Sequence, residues 1–310
     1  MNSRYRIAII GLGGVGGYVG AMLAAAYDKS PAAEILFLAR GENERTIRRD
    51  GIRLITPAGE IKARPSLVTS RTDELGEINL FICCIKHYDL VSSIESLKDC
   101  VRDDSQFLPL LNGIDAAQTI RNIYPAQETF EGCIYLISKL ISPGVVQQTG
   151  SVVQLYFGPG QGKSNARKVA EILANGQLNV SLRVDVKEIC WEKFFFISSF
   201  ATITSFLDVP VGEIMRSETN KGLLLGLMQE FLQVSRLEGI SFPADIVEKS
   251  MARLSALPFE ASSSMHADFK KGKLTELDAL TGHVVELGKK HHIPSPVYQM
   301  MYDVLHERTK

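Results

Sequence analysis

A glycine-rich run near the start of the chain, from Gly11 to Gly17, constrains the possible folds more than any other stretch. The apolar residues Ile7 to Ile10 lead directly into it and predict a short buried strand. The residues that follow, from Tyr18 to Tyr27, are rich in alanine, leucine and methionine and predict a helix. A strand, a glycine turn and a helix in this order are typical of a βαβ unit with a parallel sheet.

The glycines of this run fill the G-x-G-x-x-G pattern, in which each glycine has its own physical reason. One allows a tight turn, one lets the backbone approach a pyrophosphate, and one lets the helix pack closely on the strand. The helix N-terminus then offers free N–H groups and a partial positive charge to phosphates. The alternative is a glycine-rich turn that binds no ligand. We predict dinucleotide binding at Gly11, Gly13, Gly14, Val15 and Gly16.

A signal peptide or a membrane helix has a similar outline, because residues 7–27 carry no charge and follow Arg4 and Arg6. The glycines argue against it, since each costs a helix about 1 kcal/mol relative to alanine. No other segment is apolar for long enough to cross a bilayer.

The overall composition is that of an ordinary globular protein. A chain of 310 residues can form two domains, and 45% hydrophobic and 22% charged residues are typical proportions. The net charge of −1 gives no electrostatic reason to expect nucleic acid or an anionic membrane as partner. The five cysteines have neither metal nor disulfide spacing, and the adjacent His291 and His292 are poor co-ligands. We predict a cytoplasmic protein without a metal, either a monomer or a homodimer.

Strand and helix patterns alternate in the first part of the chain and then give way to helices alone. Buried strands are predicted at 35–39, 78–85 and 107–111, separated by helical stretches, and successive strands at 132–141, 145–149 and 152–157. Beyond residue 186 only long helical patterns follow, among them 187–206 and 273–291. The predicted fold is α/β, with a Rossmann-type dinucleotide-binding domain at 1–186 and an all-helical domain at 187–310.

Arg40 ends the second predicted strand, where a Rossmann fold meets the adenosine ribose. NAD-binding versions usually place an acid there, whereas an arginine accommodates the 2′-phosphate of NADP. Glu34 stands at the opposite end of that strand. We therefore predict NADPH as the cofactor, with Arg40 bonding two phosphate oxygens, the alternative being a surface arginine.

Three further polar residues are site candidates by position. Lys86 and Asn112 follow predicted strands at their carboxyl ends, the edge where open α/β sheets bind ligands, although either could cap a helix. Lys193 lies in a strongly apolar helix, where desolvation lowers a lysine pKa toward the range of an acid–base catalyst. A lysine that reaches solvent or pairs with Glu192 is the alternative.

With these residues in place, the chain resembles the ketopantoate reductases (2-dehydropantoate 2-reductases), NADPH-dependent enzymes of pantothenate biosynthesis. The likeness spans nearly the whole chain and lies in the order and spacing of modest motifs. They are the glycine turn, Arg40, Lys86, residues 110–113, Pro143-Gly144, Trp191-Glu192-Lys193, residues 263–268 and residues 275–278.

The resemblance implies a role for each matching residue. Lys193 is the catalytic lysine that protonates the carbonyl, and Glu276 hydrogen-bonds the hydroxyl end of the substrate. Ser264 contacts the substrate carboxylate, and Asp268 supports the site. Asn112 lies near nicotinamide and substrate, and Arg40 and Lys86 face the cofactor. Residue chemistry alone leaves alternatives, since Ser264 and Asp268 could begin a helix and Glu276 could be the exposed member of an amphipathic helix.

One departure concerns the substrate. The family places asparagines four and eight residues after the catalytic lysine, and here those positions hold Ile197 and Ala201. An isoleucine in the substrate site removes directed hydrogen bonds, each worth on the order of 1 kcal/mol. Ketopantoate remains the leading substrate. The alternatives are another 2-keto acid, an imine as in opine-type dehydrogenases, or a non-catalytic NADP-binding sensor.

Overall fold

The apolar stretches of the first part of the chain form strands that build two sheets. The structure, a computed structural model, describes residues 4–160 and 165–309. The strands are β1 (Tyr5–Ile10), β2 (Ala33–Leu38), β3 (Ile52–Thr56), β4 (Gly59–Ala63), β5 (Leu67–Thr69), β6 (Ile78–Cys83), β7 (Val101–Pro109), β8 (Glu128–Thr129), β9 (Glu131–Ser142), β10 (Val145–Gly158) and β11 (Val180–Leu182).

A six-stranded parallel sheet has the order β5-β2-β1-β6-β7-β8, the strand order of a Rossmann fold. Side chains of β1 alternate between two hydrophobic clusters, Ile7 and Ile9 in one, Ala8 and Ile10 in the other. Both faces of the sheet are therefore covered, which explains why its strands are continuous apolar runs. The predicted α/β fold with a Rossmann-type first domain is confirmed.

The helices of this part are α1 (Gly14–Ala26), α2 (Gly41–Asp50), α3 (Leu90–Glu95), α4 (Ala116–Ile123) and α5 (Ala166–Asn175). Helix α1 begins four residues before the predicted Tyr18, with Gly13 as its N-cap. Its glycines allow close packing, because a Cβ on Gly17 would overlap Val146 and a Cβ on Gly20 would lie 2.8 Å from the Phe37 ring. Tertiary contact thus overrides the low helix propensity of glycine.

A second sheet has the order β11-β10-β3-β4, with β9 antiparallel to β10. The predicted strands 145–149 and 152–157 are not separate, because β10 runs without interruption and its pairing with β9 shifts register between Thr149 and Gln154. Gly150 takes a φ of +80°, a conformation that lets the strand accommodate this irregularity. The predicted pair of strands is therefore one bent strand.

The helical part comprises α6 (Val186–Leu207), α7 (Val211–Arg216), α8 (Glu218–Leu237), α9 (Ile246–Ser255), α10 (Ser264–Lys270), a π-helical turn (Asp278–Gly282), α11 (His283–Lys290) and α12 (Pro296–Glu307). One hydrophobic cluster forms its core, with Phe194, Phe195, Phe231 and Tyr298 among the buried side chains. The short helix α7 was not predicted. The helix predicted from Lys273 begins only after Glu276.

The chain divides into two compact units, of which one contains residues up to Leu111 and Asp115–Lys187. The other contains Glu188–Lys310 together with the three residues Asn112–Ile114. The segment 112–114 thus belongs to the helical unit although it follows a strand of the parallel sheet. None of the helices in the described ranges is long and apolar enough to span a membrane.

Candidate active site

The glycine turn connects β1 to α1, and its glycines meet different surroundings. Gly11 has a φ of +88°, and a Cβ on it would lie 2.7 Å from Ile85 Cγ2. A Cβ on Gly16 would overlap the Gly11 carbonyl oxygen. Chain neighbours aside, no described atom lies within 4 Å of the place that a Cβ would take on Gly13. Gly11 and Gly16 therefore close the turn, whereas Gly13 leaves open space.

That open space lies at the N-terminus of α1, a helix without an acidic residue in its first turn. The first N–H groups of a helix have no partner within it, and its dipole attracts negative charge. Gly14 and Val15 are its first residues. The turn therefore fits the pyrophosphate of a dinucleotide, which would accept hydrogen bonds from this backbone.

Asn43 holds the turn in place and was not predicted from the sequence. Its Nδ2 donates to the Leu12 carbonyl (3.0 Å), and its Oδ1 accepts from the Gly144 N–H (2.7 Å). The side chain thus links helix α2, the glycine turn and the β9–β10 hairpin. No sequence signal shows this, because Gly144 lies 101 residues away along the chain.

Arg40 is the N-cap residue of α2, two residues after the end of β2. The Gly11 N–H donates to the Leu38 carbonyl (3.1 Å), so the end of β2 lies beside the glycine turn. The Arg40 side chain is exposed and makes no hydrogen bond or ion pair with any described residue. Glu34 pairs with Arg6 (2.8 Å) at the opposite end of the strand, and Glu44 pairs with Arg48. The edge of the sheet therefore presents an available guanidinium.

Lys86 follows β6 at the same edge of the sheet and is partly exposed. The Cys84 N–H donates to the Ile10 carbonyl (2.8 Å), so this segment runs next to the end of β1. The neighbouring His87, which was not predicted, places its Nε2 2.8 Å from Asp115 Oδ2. This edge thus carries both Lys86 and the His87–Asp115 pair.

Lys193 and Asn112 come together in the helical unit, although they are 81 residues apart in the sequence. Lys193 Nζ donates to Asn112 Oδ1 at 3.4 Å, a long hydrogen bond. Trp191, Phe194 and Phe195 fill the core side of α6, so partly exposed Lys193 occupies the remaining face. An ammonium and an amide on one face can together bind and protonate a carbonyl oxygen.

Glu276 lies two residues before the π-helical turn, and only 4% of it is exposed. The Leu280 N–H donates to its carbonyl (3.0 Å). The interpretation of Glu276 as an exposed member of an amphipathic helix is therefore wrong. Since π-turns often mark functional sites and a buried carboxylate is costly, this geometry favours a specific role for Glu276.

Ser264 is the first residue of α10, whereas the N-cap is Ser263, whose Oγ accepts from the His266 N–H (3.0 Å). Ser264 is exposed, and Asp268 lies toward the other end of this short helix. Ser264 thus does begin a helix, as residue chemistry alone allowed, but Asp268 does not.

His266 anchors α10 and was not predicted. It is 3% exposed, its Nε2 lies 2.7 Å from Asp208 Oδ1 just after α6, and its Nδ1 contacts Ser262. This hydrogen bond holds the pKa of Asp208 below its usual value. The start of α10, with Ser264, is therefore fixed to the end of α6.

Ile197 and Ala201 differ in their surroundings. Ile197 is partly exposed one helical turn after Lys193, whereas Ala201 is 3% exposed and belongs to the core. The adjacent serines point away, because Ser198 donates to the Leu280 carbonyl (2.6 Å) and Ser199 to the Phe195 carbonyl (3.0 Å). Among the described residues, no group of three or more histidine, cysteine, aspartate or glutamate side chains is arranged to hold a metal ion.

A Rossmann sheet with an open glycine turn, followed by a helical unit with a lysine–asparagine pair, defines a nicotinamide-dinucleotide oxidoreductase. The sequence profile of the ketopantoate reductase family PanE/ApbA matches residues 7–162, and that of its C-terminal part matches residues 185–309. The chain belongs to this family.

Three similar proteins cover nearly the whole chain. The 2-dehydropantoate 2-reductase of Halobacterium salinarum is 27% identical over 97% of both chains. The structure of a PanE/ApbA family ketopantoate reductase from Ralstonia eutropha is 26% identical, with a TM-score of 0.89 over 98% of both chains. A D-mandelate dehydrogenase in complex with NADH and anilino(oxo)acetate shares the fold, at 23% identity and a TM-score of 0.86 over 98% of both chains.

Family membership makes the protein an oxidoreductase of the type that reduces 2-keto acids with a nicotinamide dinucleotide. The predicted family and enzyme class are thereby confirmed.

Proposed function

We propose that this protein reduces a 2-keto acid to the 2-hydroxy acid with NADPH. The hydrogen bond between Lys193 and Asn112 carries the proposal, because it assembles a proton donor and an amide from distant parts of the chain. The buried carboxylate of Glu276 in the same unit supports it. Ketopantoate, the substrate in the name of the H. salinarum relative, is the first substrate to test, and its reduction to pantoate would place the protein in pantothenate biosynthesis.

NADPH rather than NADH is proposed from Arg40. Its guanidinium stands at the end of β2, is exposed, and engages none of the described side chains, so it is available to a 2′-phosphate. An arginine can bond two phosphate oxygens in parallel, which gives both affinity and geometric selectivity. Lys86, at the end of β6, adds a second positive charge on the cofactor side.

When bound, the reduced nicotinamide supplies the hydride that the keto carbon accepts. The Lys193 ammonium gives its proton to the keto oxygen, and Asn112 orients both the lysine and the substrate. Ser264 donates a hydrogen bond to the substrate carboxylate, Asp268 supports the site, and Glu276 accepts a hydrogen bond from the substrate or from Lys193. The reaction consumes one proton from solution, which returns Lys193 to its charged form.

The absorbance of NADPH, followed with ketopantoate and a panel of branched and aromatic 2-keto acids, tests the proposal. Lys193→Ala should lower kcat by about 100-fold or more while the Kd of NADPH stays unchanged. Glu192→Gln is the matched control on the exposed neighbour, and it should leave kcat near wild type. Tight NADPH binding without turnover of any panel member would refute the proposal and favour the non-catalytic sensor.

A further inference from the structure

The face of α6 that carries Lys193 continues as an apolar surface. At about 100° per residue, Ile197 lies roughly 40° and Phe200 roughly 20° from Lys193 around the helix axis. All three side chains are partly exposed, and the two apolar ones pack against the core of the helical unit. Phe196, on one side of this surface, is covered by the Arg253 guanidinium at 4.4 Å from its ring. Ile197 and Phe200 are therefore the side chains next along this face after the lysine.

The hydroxyl groups of α6 that could make this surface more polar form hydrogen bonds with other partners. Ser198 bonds the Leu280 carbonyl and the Tyr298 hydroxyl (2.8 Å), and Ser199 bonds the Phe195 carbonyl. Thr202 meets the Thr281 hydroxyl (2.8 Å), and Thr204 bonds the Phe200 carbonyl and the Ser263 hydroxyl. These four side chains are fully buried. They therefore leave no hydroxyl on the Lys193 face to pair with a polar substrate group.

We propose that the acceptor is a 2-keto acid whose side chain beyond the keto carbon is apolar and carries no hydroxyl. This rests on the proposed function, because it assumes that the keto oxygen is held by Lys193 and Asn112. A substrate bound there extends its side chain along Ile197 and Phe200, which begin one helical turn away, or about 5 Å. An apolar group gains from burial against them, whereas a hydroxyl placed there loses its water without gaining a partner.

A pair of substrates that differ in one hydroxyl tests the proposal. Trimethylpyruvate has the carbon skeleton of ketopantoate without its terminal hydroxyl. Wild-type enzyme with NADPH should use trimethylpyruvate with a kcat/KM about tenfold or more above that for ketopantoate, in line with how weakly an apolar pocket rejects an added hydroxyl. A kcat/KM equal to or higher for ketopantoate would overturn the proposal while leaving 2-keto acid reduction intact. If the enzyme reduces none of trimethylpyruvate, ketopantoate and phenylglyoxylate, the proposed function itself is rejected.

Variants then assign the preference to the α6 surface. Ile197→Asn should reverse or abolish the preference by raising kcat/KM for ketopantoate relative to trimethylpyruvate, and Ile197→Val should preserve it. Leu207→Asn is the matched control, since Leu207 is a partly buried residue of the same helix, about 15 Å further along its axis than Ile197. An unchanged ratio in Ile197→Asn, or an equal change in Leu207→Asn, contradicts the assignment. If Ile197→Asn fails to fold, the Ile197→Phe variant replaces it. This variant should change the preference between phenylglyoxylate and trimethylpyruvate, in either direction. An unchanged order of these substrates would again contradict the assignment.

Discussion

Replacing Gly13 with alanine separates the cofactor role of the glycine turn from its role in folding. Gly13 has a φ of −78°, which alanine adopts without strain, and a new Cβ would meet no described atom within 4 Å beyond its chain neighbours. Alanine is a poorer N-cap than glycine by about 1 kcal/mol, but it also reduces the entropy of the unfolded chain by about 0.4–1 kcal/mol. The free energy of unfolding should therefore change by less than about 1 kcal/mol, or a few degrees in Tm.

Cofactor binding should respond differently to the same methyl group. A phosphate oxygen must approach the backbone N–H groups of this turn to about 2.9 Å, and the Cβ would occupy the space through which it does so. We expect the Kd of NADPH, measured by fluorescence titration, to rise at least tenfold in Gly13→Ala, which corresponds to about 1.4 kcal/mol.

Two other glycines provide controls. Gly222→Ala adds a methyl group at an open, exposed position of α8 and should leave NADPH binding unchanged while stabilising the helix by up to about 1 kcal/mol. Gly16→Ala would place its Cβ on the Gly11 carbonyl oxygen and should destabilise the protein by several kcal/mol. A folded Gly13→Ala protein with wild-type NADPH affinity would refute the assignment of the open space to a pyrophosphate. A Gly13→Ala protein that does not fold would refute the statement that the space beside Gly13 is open.

Two further predictions concern Arg40 and Glu230. Arg40→Asp should raise the KM for NADPH at least tenfold without a comparable rise for NADH, and an unchanged ratio of the two would contradict the 2′-phosphate assignment. Glu230 accepts hydrogen bonds from the first N–H groups of α12, at Val297 (2.8 Å) and Tyr298 (2.9 Å), so Glu230→Ala should lower the free energy of unfolding by about 3 kcal/mol. Burial raises the pKa of Glu230 above its usual 4.5, against the effect of these bonds. The contribution of Glu230 to the free energy of unfolding is therefore full below pH 4.5 and declines as pH rises through the raised pKa. Urea titrations should show that the difference in this free energy between wild type and variant becomes smaller as pH rises. A difference that grows with pH would contradict this.

Local patterns predicted much of the parallel sheet. The run Ile7 to Ile10 is apolar at every position because both faces of its strand are buried, and this signal needs no knowledge of distant residues. The glycine turn and the position of Arg40 after the next strand were found in the same way. They follow from short-range spacing that the chain carries in any conformation.

Long-range packing decided where elements begin and which side chains are buried. Helix α1 contains glycines because neighbouring strands approach it so closely that side chains would not fit. Glu276 is buried, and it lies just before a helix that starts later than predicted, with a π-turn. His266 bonds Asp208, 58 residues away, and Asn43 bonds Leu12 and Gly144, 31 and 101 residues away. No local window contains these partners.

By itself, the sequence determined that the chain has a Rossmann-type domain with a glycine turn after its first strand, a helical domain after it, and a set of polar residues that match one reductase family. The tertiary structure decided that Asn112 joins the helical unit and meets Lys193, and that Ile197 and Phe200 continue that face while the hydroxyls of α6 turn inward. The physical reason is the range of the interactions: periodicity and turn chemistry act between near neighbours, whereas a hydrogen bond across 81 residues exists only after folding.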